Sequence, residues 1–246
     1  MQQESINKSI ILDFYRRAVG QGDIAFAEEI IAEDYIQHSP LVKPGKAGLL
    51  EALNYMKQMP KPAATSAPFM RLIAEGEYVV TNMCFEWDGK QKAVLDLFRL
   101  QDGKVSEHWD AMQDKPETSL NDNALMDGPM PLDDKLVTAT NKEVARGFFQ
   151  RIFDERNLDN LTDLVASDLV QHRPEIANGL AGLIIYWQKN RDVAESARLQ
   201  RIIGEADFVV IQYDATLAGQ AIMFYDVFRL SAGKIVEQWG LQQAIP

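Results

Sequence analysis

Two residues near the end of the first half of the chain have the types and spacing for acid–base chemistry. In the run SEHWD, His108 and Asp110 stand two positions apart. On a strand, residues so spaced share a face. A carboxylate held there among apolar side chains is partly desolvated, which disfavours its charged form and raises its pKa. Such a group can exchange a proton near neutrality, which a solvated aspartate does poorly. An imidazole beside it can orient the carboxylate or stabilise a developing oxyanion. A third candidate is His38, in YIQHSP at 35–40. The expected catalytic set is Asp110, His108 and His38.

Turn geometry supplies the neighbours. Asp102-Gly103 reads as a two-residue hairpin turn that pairs Gln101 with Lys104. Counting outward sets Leu97 opposite His108 and Leu95 opposite Asp110. One face should then carry Leu95, Leu97, His108 and Asp110, and the other Asp96, Phe98, Glu107 and Trp109. Ile36, Tyr15, Leu95 and Leu97 are the expected substrate-binding residues.

The motif around His38 returns as LVQHRP at 169–174, with His172. The offset of 134 also pairs NKSIILDFYRR (7–17) with NKEVARGFFQR (141–151), and Gly45, Gly48 and Leu49 with Gly179, Gly182 and Leu183. Further on the offset is 130, pairing RLIAEGEYVV from Arg71 with RIIGEADFVV from Arg201, and DLFRLQDGKVSEHWD with DVFRLSAGKIVEQWG. So long a period means tandem domains, not a solenoid. Asp96, Phe98, Glu107 and Trp109 recur as Asp226, Phe228, Glu237 and Trp239, whereas His108 and Asp110 become Gln238 and Gly240. A retained face suits a shared structural job, and a changed face suits chemistry present in one copy. The second copy reads as degenerate, with His172 and Gln238 as counterparts. Asp96 with Arg99, and Asp226 with Arg229, read as structural.

The elements follow from periodicity. Ile6, Ile10, Ile11, Phe14, Tyr15 and Val19 mark a helix over 6–19. In the second copy Thr140 and Glu143 form a capping-box pattern. Asp23 suits the cap of a short helix with Phe26, Ile30 and Ile31. An extended piece ends at His38, and Leu49, Leu50, Leu53 and Met56 mark a third helix. Strands are expected at 69–74, 77–87, 91–101 and 104–113, with tight turns at 88–89 and 102–103. Helices first and an antiparallel meander second is an α+β order.

Composition narrows the partners. A chain of 246 residues, 46% hydrophobic, has room for two ordinary cores. Its net charge of −11 argues against nucleic acid or an anionic membrane. A lone Cys84 cannot form a disulfide within the chain and suits a cytoplasmic location. The polar start lacks the apolar region of a signal peptide, and no stretch is long and apolar enough to span a bilayer.

The element order resembles the nuclear transport factor 2-like superfamily. YIQHSP, DLFRLQDGKVSEHWD and the tail PETSLNDNALM resemble its SnoaL-like polyketide cyclase group. The resemblance covers nearly all of residues 5–126 and is weaker over 141–243. Where the family usually has Asn after the histidine, this chain has Ser39 and Arg173. It implies two tandem cone-shaped α+β domains, each with N-terminal helices packed on a curved antiparallel sheet. The expected division is 1–126, a linker at 127–137, and 138–246.

The resemblance also places a catalytic aspartate at Asp110, a pocket residue at His108, and at His38 a residue that holds the reacting group. It implies cofactor-free chemistry on a small apolar or polyketide-like molecule: proton removal next to a carbonyl, then aldol-type bond formation or isomerisation. Two histidines and an aspartate would also suit a metal triad, but the resemblance implies no metal. The rival reading is a non-catalytic small-molecule-binding or scaffold protein. Single-domain relatives pair sheet against sheet. The recurring Trp109 and Trp239 therefore suggest an intramolecular pseudo-dimer with both pockets facing away. The alternative is that a β-bulge in the last hairpin shifts the register by one and turns Trp109 inward, so that Trp109 and not His108 lines the pocket.

Overall fold

The structure, a computed structural model, describes residues 2–59, 69–87, 90–132 and 137–245. In the first repeat, helix α1 (Gln2–Asp13) runs into a π-helical segment, Phe14–Gly20, and α2 (Ile24–Ile30) follows. The Asp23 side chain caps α2 by accepting from the Phe26 amide at 3.1 Å. Then come β1 (Ile31–Gln37), α3 (Gly45–Gln58), β2 (Phe69–Glu75), β3 (Tyr78–Trp87), β4 (Lys90–Gln101) and β5 (Lys104–Asp114).

The second repeat opens with α4 (Thr138–Phe149), which continues into another π-helical segment. It proceeds through β6 (Val165–Gln171), α5 (Gly179–Lys189), α6 (Arg191–Ser196), β7 (Arg198–Glu205), β8 (Phe208–Leu217), β9 (Gln220–Ser231) and β10 (Lys234–Ala244). The expected capping box at α4 does not form. The helix begins earlier, and the Thr138 hydroxyl accepts from the Ala206 amide at 2.9 Å instead.

Each repeat holds an open five-stranded sheet, β1-β5-β4-β3-β2 and β6-β10-β9-β8-β7. The meander is antiparallel as expected, but the first strand of each repeat joins the last in parallel. Asp102 and Gly103 both have positive φ, 50° and 75°, and pair Gln101 with Lys104. The expected turn at 88–89 lies outside the described residues. The glycine at the start of α3 and α5 recurs for steric reasons. A Cβ on Gly48 would lie 2.0 Å from the Lys43 carbonyl oxygen, and one on Gly182 2.2 Å from that of Ala177.

A bulge in the last hairpin decides which side chains face where. Arg99 pairs with Glu107 and Leu100 with Val105, so Ser106 is skipped in the ladder, and its hydroxyl donates to the Arg99 carbonyl at 3.0 Å. Beyond it Phe98 lies opposite His108, Leu97 opposite Trp109 and Asp96 opposite Asp110. The turn-derived reading is correct for β5 and one residue out for β4. Val236 is skipped in the same way in the second repeat.

Three apolar layers result. Ile11, Phe14, Leu49, Leu53 and Phe98 belong to the core under the first repeat's helices, and Phe148, Phe149, Trp187, Tyr213 and Phe228 to that of the second. The third layer joins the sheets, with Leu95, Leu97 and Trp109 from one repeat and Phe208, Tyr225, Val227 and Trp239 from the other.

Polar groups cross the same boundary reciprocally. The Arg71 guanidinium lies 4.5 Å from the Trp239 ring centroid, and its sequence counterpart Arg201 lies 4.2 Å from that of Trp109. Glu75 accepts from Lys142 and the Gly204 amide, while Glu205 pairs with Lys8 and accepts from the Ala74 amide. The segment after β5, assigned to the first domain on sequence, bonds to the second repeat. The Asn121 side chain donates to the carbonyls of Arg173 and Ile176, and that of Asn123 to Gln171. Among the described residues no helix is long and apolar enough to cross a membrane.

Candidate functional site

The first repeat gathers a buried polar cluster between its sheet and its helices. β5 turns His108 and Asp110 toward the helices, and the bulge turns Phe98 and Asp96 to the same side. His108 Nε2 is 3.0 Å from Asp96 Oδ1, and its Nδ1 is 3.0 Å from Gln37 Oε1. The imidazole stacks on Phe98 at 4.5 Å between centroids. The Tyr15 hydroxyl donates to Asp96 Oδ2 and contacts the Thr81 hydroxyl at 3.0 Å. Tyr15 reaches in from the π-helical segment, where the helix widens locally.

Asp110 sits across the strand pair from Asp96. Burial pushes its carboxyl above the ordinary aspartate value; His108 opposes the shift, the Asp96 charge adds to it and the Ser39 hydroxyl pulls it back. Asp110 Oδ1 is buried without a hydrogen-bond partner among the described residues. So is the hydroxyl of Tyr35, whose pKa burial raises, with Asp110 and Asp96 adding to the shift. The site thus offers one unengaged carboxylate oxygen and one neutral hydroxyl donor.

The other expected residues lie elsewhere. His38 is on the opposite side of the sheet, with Nε2 2.9 Å from Glu107 and its ring stacked on Trp109 at 4.6 Å. His172 repeats this against Glu237 and Trp239. Recurrence of the histidine motif therefore reflects one strand-end brace built twice. Leu95 and Leu97 face the other repeat, because the bulge shifts β4 by one residue. Ile36 is 48% exposed, since β1 turns Tyr35 and Gln37 inward. Among the described residues Asp96 makes no ion pair with Arg99, which pairs with Glu107 instead; likewise Arg229 pairs with Glu237. Sequence reasoning missed Asp96, Tyr35, Gln37 and Thr81. The alternation of β1 was the available signal for Tyr35. Among the described residues no three His, Cys, Asp or Glu side chains converge to hold a metal ion.

The second repeat keeps the framework and fills the space. Gln238 takes the place of His108 and donates to Asp226 Oδ1 at 3.0 Å, while Gln171 donates to Gln238 at 2.9 Å. The Tyr213 hydroxyl donates to Asp226 Oδ2 at 3.1 Å. Arg173, where the first repeat has Ser39, inserts its guanidinium and reaches Asp226 Oδ1 at 3.3 Å. Burial works against that charge, but the Glu175 and Asp226 carboxylates beside it favour it, and the group stays protonated. Gly240, where the first repeat has Asp110, makes room. A Cβ there would lie 2.7 Å from Asp226 Oδ1 and 2.9 Å from Arg173 Cδ.

Each repeat sets helices on an open five-stranded sheet, and the second keeps the framework of the first without its imidazole or its second carboxylate. The family model for the SnoaL-like domain matches residues 11–108 and again 145–238, so the chain belongs to that family and carries its domain as a tandem pair. Among solved structures it is similar to a nuclear transport factor 2-like protein of unknown function from Burkholderia xenovorans LB400, at 18% identity over 48% of this chain and 91% of that one, TM-score 0.40. A protein from Kribbella flavida DSM 17836, provisionally described as a ketosteroid isomerase, is similar at 14% identity over 44% of this chain and 80% of that one, TM-score 0.39. IdmH from Streptomyces antibioticus, provisionally described as a polyketide cyclase, is similar at 21% identity over 42% and 91%, TM-score 0.35. No curated protein matches the chain.

Proposed function

We propose that the first repeat is a cofactor-independent cyclase or isomerase acting on a small apolar carbonyl compound of polyketide-like character, with Asp110 as general base. The observation that carries this reading is the state of Asp110. Its carboxyl is buried, raised in pKa by that burial, and has one oxygen without a partner among the described residues. An evenly solvated structural carboxylate would have none of these properties.

In the proposed step, Asp110 Oδ1 takes the proton from the carbon next to the substrate carbonyl. The C–H electron pair moves into the C–C bond, and charge builds on the carbonyl oxygen. The Tyr35 hydroxyl, neutral and unengaged, is the donor for that enolate oxygen. The enolate carbon then attacks a second carbonyl of the same molecule, whose oxygen takes back the proton from Asp110; where the enolate is conjugated with a C=C bond, Asp110 returns the proton to the far carbon instead. The Gln37–His108–Asp96–Tyr15 chain fixes the wall beside the base. His38 takes no part.

The second repeat is assigned a non-catalytic role, because Arg173 occupies the place a substrate would need. The reciprocal arginine–tryptophan contacts support an intramolecular pseudo-dimer whose pockets face away from the shared layer.

The test is proton exchange. Small cyclic ketones and 1,3-dicarbonyl compounds in D₂O should gain deuterium next to the carbonyl faster with the protein, as followed by NMR. Asp110→Asn should remove the acceleration. Exchange unaffected by that substitution would refute the assignment.

A further inference from the structure

A concave surface outside the first-repeat site remains without an assigned role. A groove of about 650 Å³ lies where the end of β5 and the segment after it meet the mouth of the second repeat. Its apolar walls include Met112, Leu120, Ile185 and Leu217. Met112, Leu120 and Ile185 are 42%, 66% and 51% exposed. They come from three separate parts of the chain, yet converge on one hollow whose size suits a small organic molecule. Bringing such clustered apolar surface out of water favours an apolar ligand.

Charge at the rim decides the ligand's polar end. Glu175 and Lys189 are the charged residues lining the groove. Glu175 is already engaged: Arg173 grips its Oε1 through Nε at 2.8 Å and through Nη2 at 2.7 Å. Burial would raise its carboxyl, but Arg173 holds it below the usual range. Lys189 sits in the last turn of α5 and makes no ion pair among the described residues. An amine would find its only carboxylate satisfied and an ammonium opposing it, whereas a carboxylate would find an open donor. The net charge of −11 does not reverse this. Screening at physiological salt acts within about 8 Å, so the nearest charge dominates.

We propose that this groove binds a small apolar monocarboxylate. The ring or chain lies on Met112, Leu120, Ile185 and Leu217, and the carboxylate meets the Lys189 ammonium. This site is independent of the acid–base reading of Asp110.

The test uses the full chain and 1-anilinonaphthalene-8-sulfonate, an apolar anion whose fluorescence rises on burial. One probe per chain should bind and be displaced by decanoate. Decanol should compete about tenfold more weakly, equivalent to about 1.4 kcal/mol, and decylamine more weakly still. Ile185→Glu and Leu120→Glu change exposed side chains, so each should leave the melting temperature nearly unchanged and weaken probe binding about tenfold or more. Lys189→Gln should weaken decanoate and leave decanol as it was. Asp110→Asn should leave probe binding unchanged, which separates this groove from the first-repeat pocket. No saturable binding, binding that survives both glutamate substitutions, binding lost in Asp110→Asn, or decanol competing as well as decanoate would each overturn the proposal.

Discussion

The imidazole of His108 and the carboxylate of Asp96 meet at 3.0 Å, in a pairing that exists because Ser106 is bulged out of the β4–β5 ladder. Without the bulge Asp96 would face the other repeat. Asp96 also accepts from Tyr15 and, at 3.4 Å, from Thr81, so one carboxylate anchors three side chains of the site. Asp96→Ala should strand these buried donors and cost about 3 kcal/mol or more in stability. Asp96→Asn should cost less, about 1–3 kcal/mol, because one acceptor oxygen survives. If the network positions the base, kcat should fall in the Asn variant with KM little changed. Thermal unfolding and steady-state kinetics on a turned-over ketone would check both.

Asp110→Asn separates catalysis from stability. If Asp110 is the general base, its loss should lower turnover by about 10²–10⁴-fold. The stability effect has the opposite sign. Because the folded-state pKa is raised above the unfolded value, the protonated group favours folding at low pH, and that contribution is lost as pH rises through the folded pKa. The neutral Asn side chain should therefore melt at or above wild type at pH 8 and converge with it toward pH 4. Activity of the wild type should rise with pH, with a midpoint above the ordinary 3.8 of an aspartate. A Tm drop at pH 8 with turnover intact would assign Asp110 a structural role.

Much of this architecture was legible because repetition exposes itself as paired residues. The tandem fold, the meander and the placement of Trp109 and Trp239 follow from offsets and alternation. The β4 face did not, because a bulge leaves no strong mark in sequence: Ser106 looks like any strand residue. That one position sent Leu95 and Leu97 to the wrong layer and hid Asp96. Recurrence misled once more. Asp96 and Asp226 both persist, yet one meets an imidazole and the other a guanidinium, so the same residue serves different local chemistry. His38 was drawn into the site by its motif, but strand direction at β1 puts it beside Trp109 instead.

Restoring the missing carboxylate in the second repeat alone should fail. In Gly240→Asp the new Cβ meets Asp226 and Arg173 at less than van der Waals separation, and a second negative charge enters beside Asp226. Overpacking and like charge together should cost about 3 kcal/mol or more. Arg173→Ser combined with Gly240→Asp recreates the Ser39 and Asp110 pattern and removes the plug. The double variant should be more stable than Gly240→Asp alone. Urea denaturation of Gly240→Asp, Arg173→Ser and the double variant tests this non-additivity.

The two arginines between the sheets should not be equal. Arg201→Ala removes a guanidinium stacked on Trp109 and a bond to Gln212, which should cost about 1–2 kcal/mol. Arg71→Ala removes stacking on Trp239 and also bonds to the carbonyls of Asp127 and Pro129. Arg71 is also fully buried, so its loss should be the larger, about 3 kcal/mol. Equal effects in denaturant titrations would show that the tail contacts contribute nothing.

The second repeat expressed alone, residues 137–246, should not remain a monomer. Cutting it from its partner uncovers Ile203, Phe208, Val210, Val227 and Trp239, all of them buried in the intact chain. That contiguous apolar sheet face is larger than soluble monomers usually leave open. The natural cover is a second copy, since the contacts across the boundary are already reciprocal: Arg201 would reach the Trp239 of its mate, as it reaches Trp109 in the intact chain. Sedimentation should show a dimer at micromolar concentration, and Trp239→Glu should abolish it. The dimer should have no proton-exchange activity, because each copy keeps Arg173 in its pocket and lacks a carboxylate at Gly240. A stable, soluble monomer would show that the sheet face does not need a partner. A catalytically active dimer would show that Arg173 does not close the second pocket.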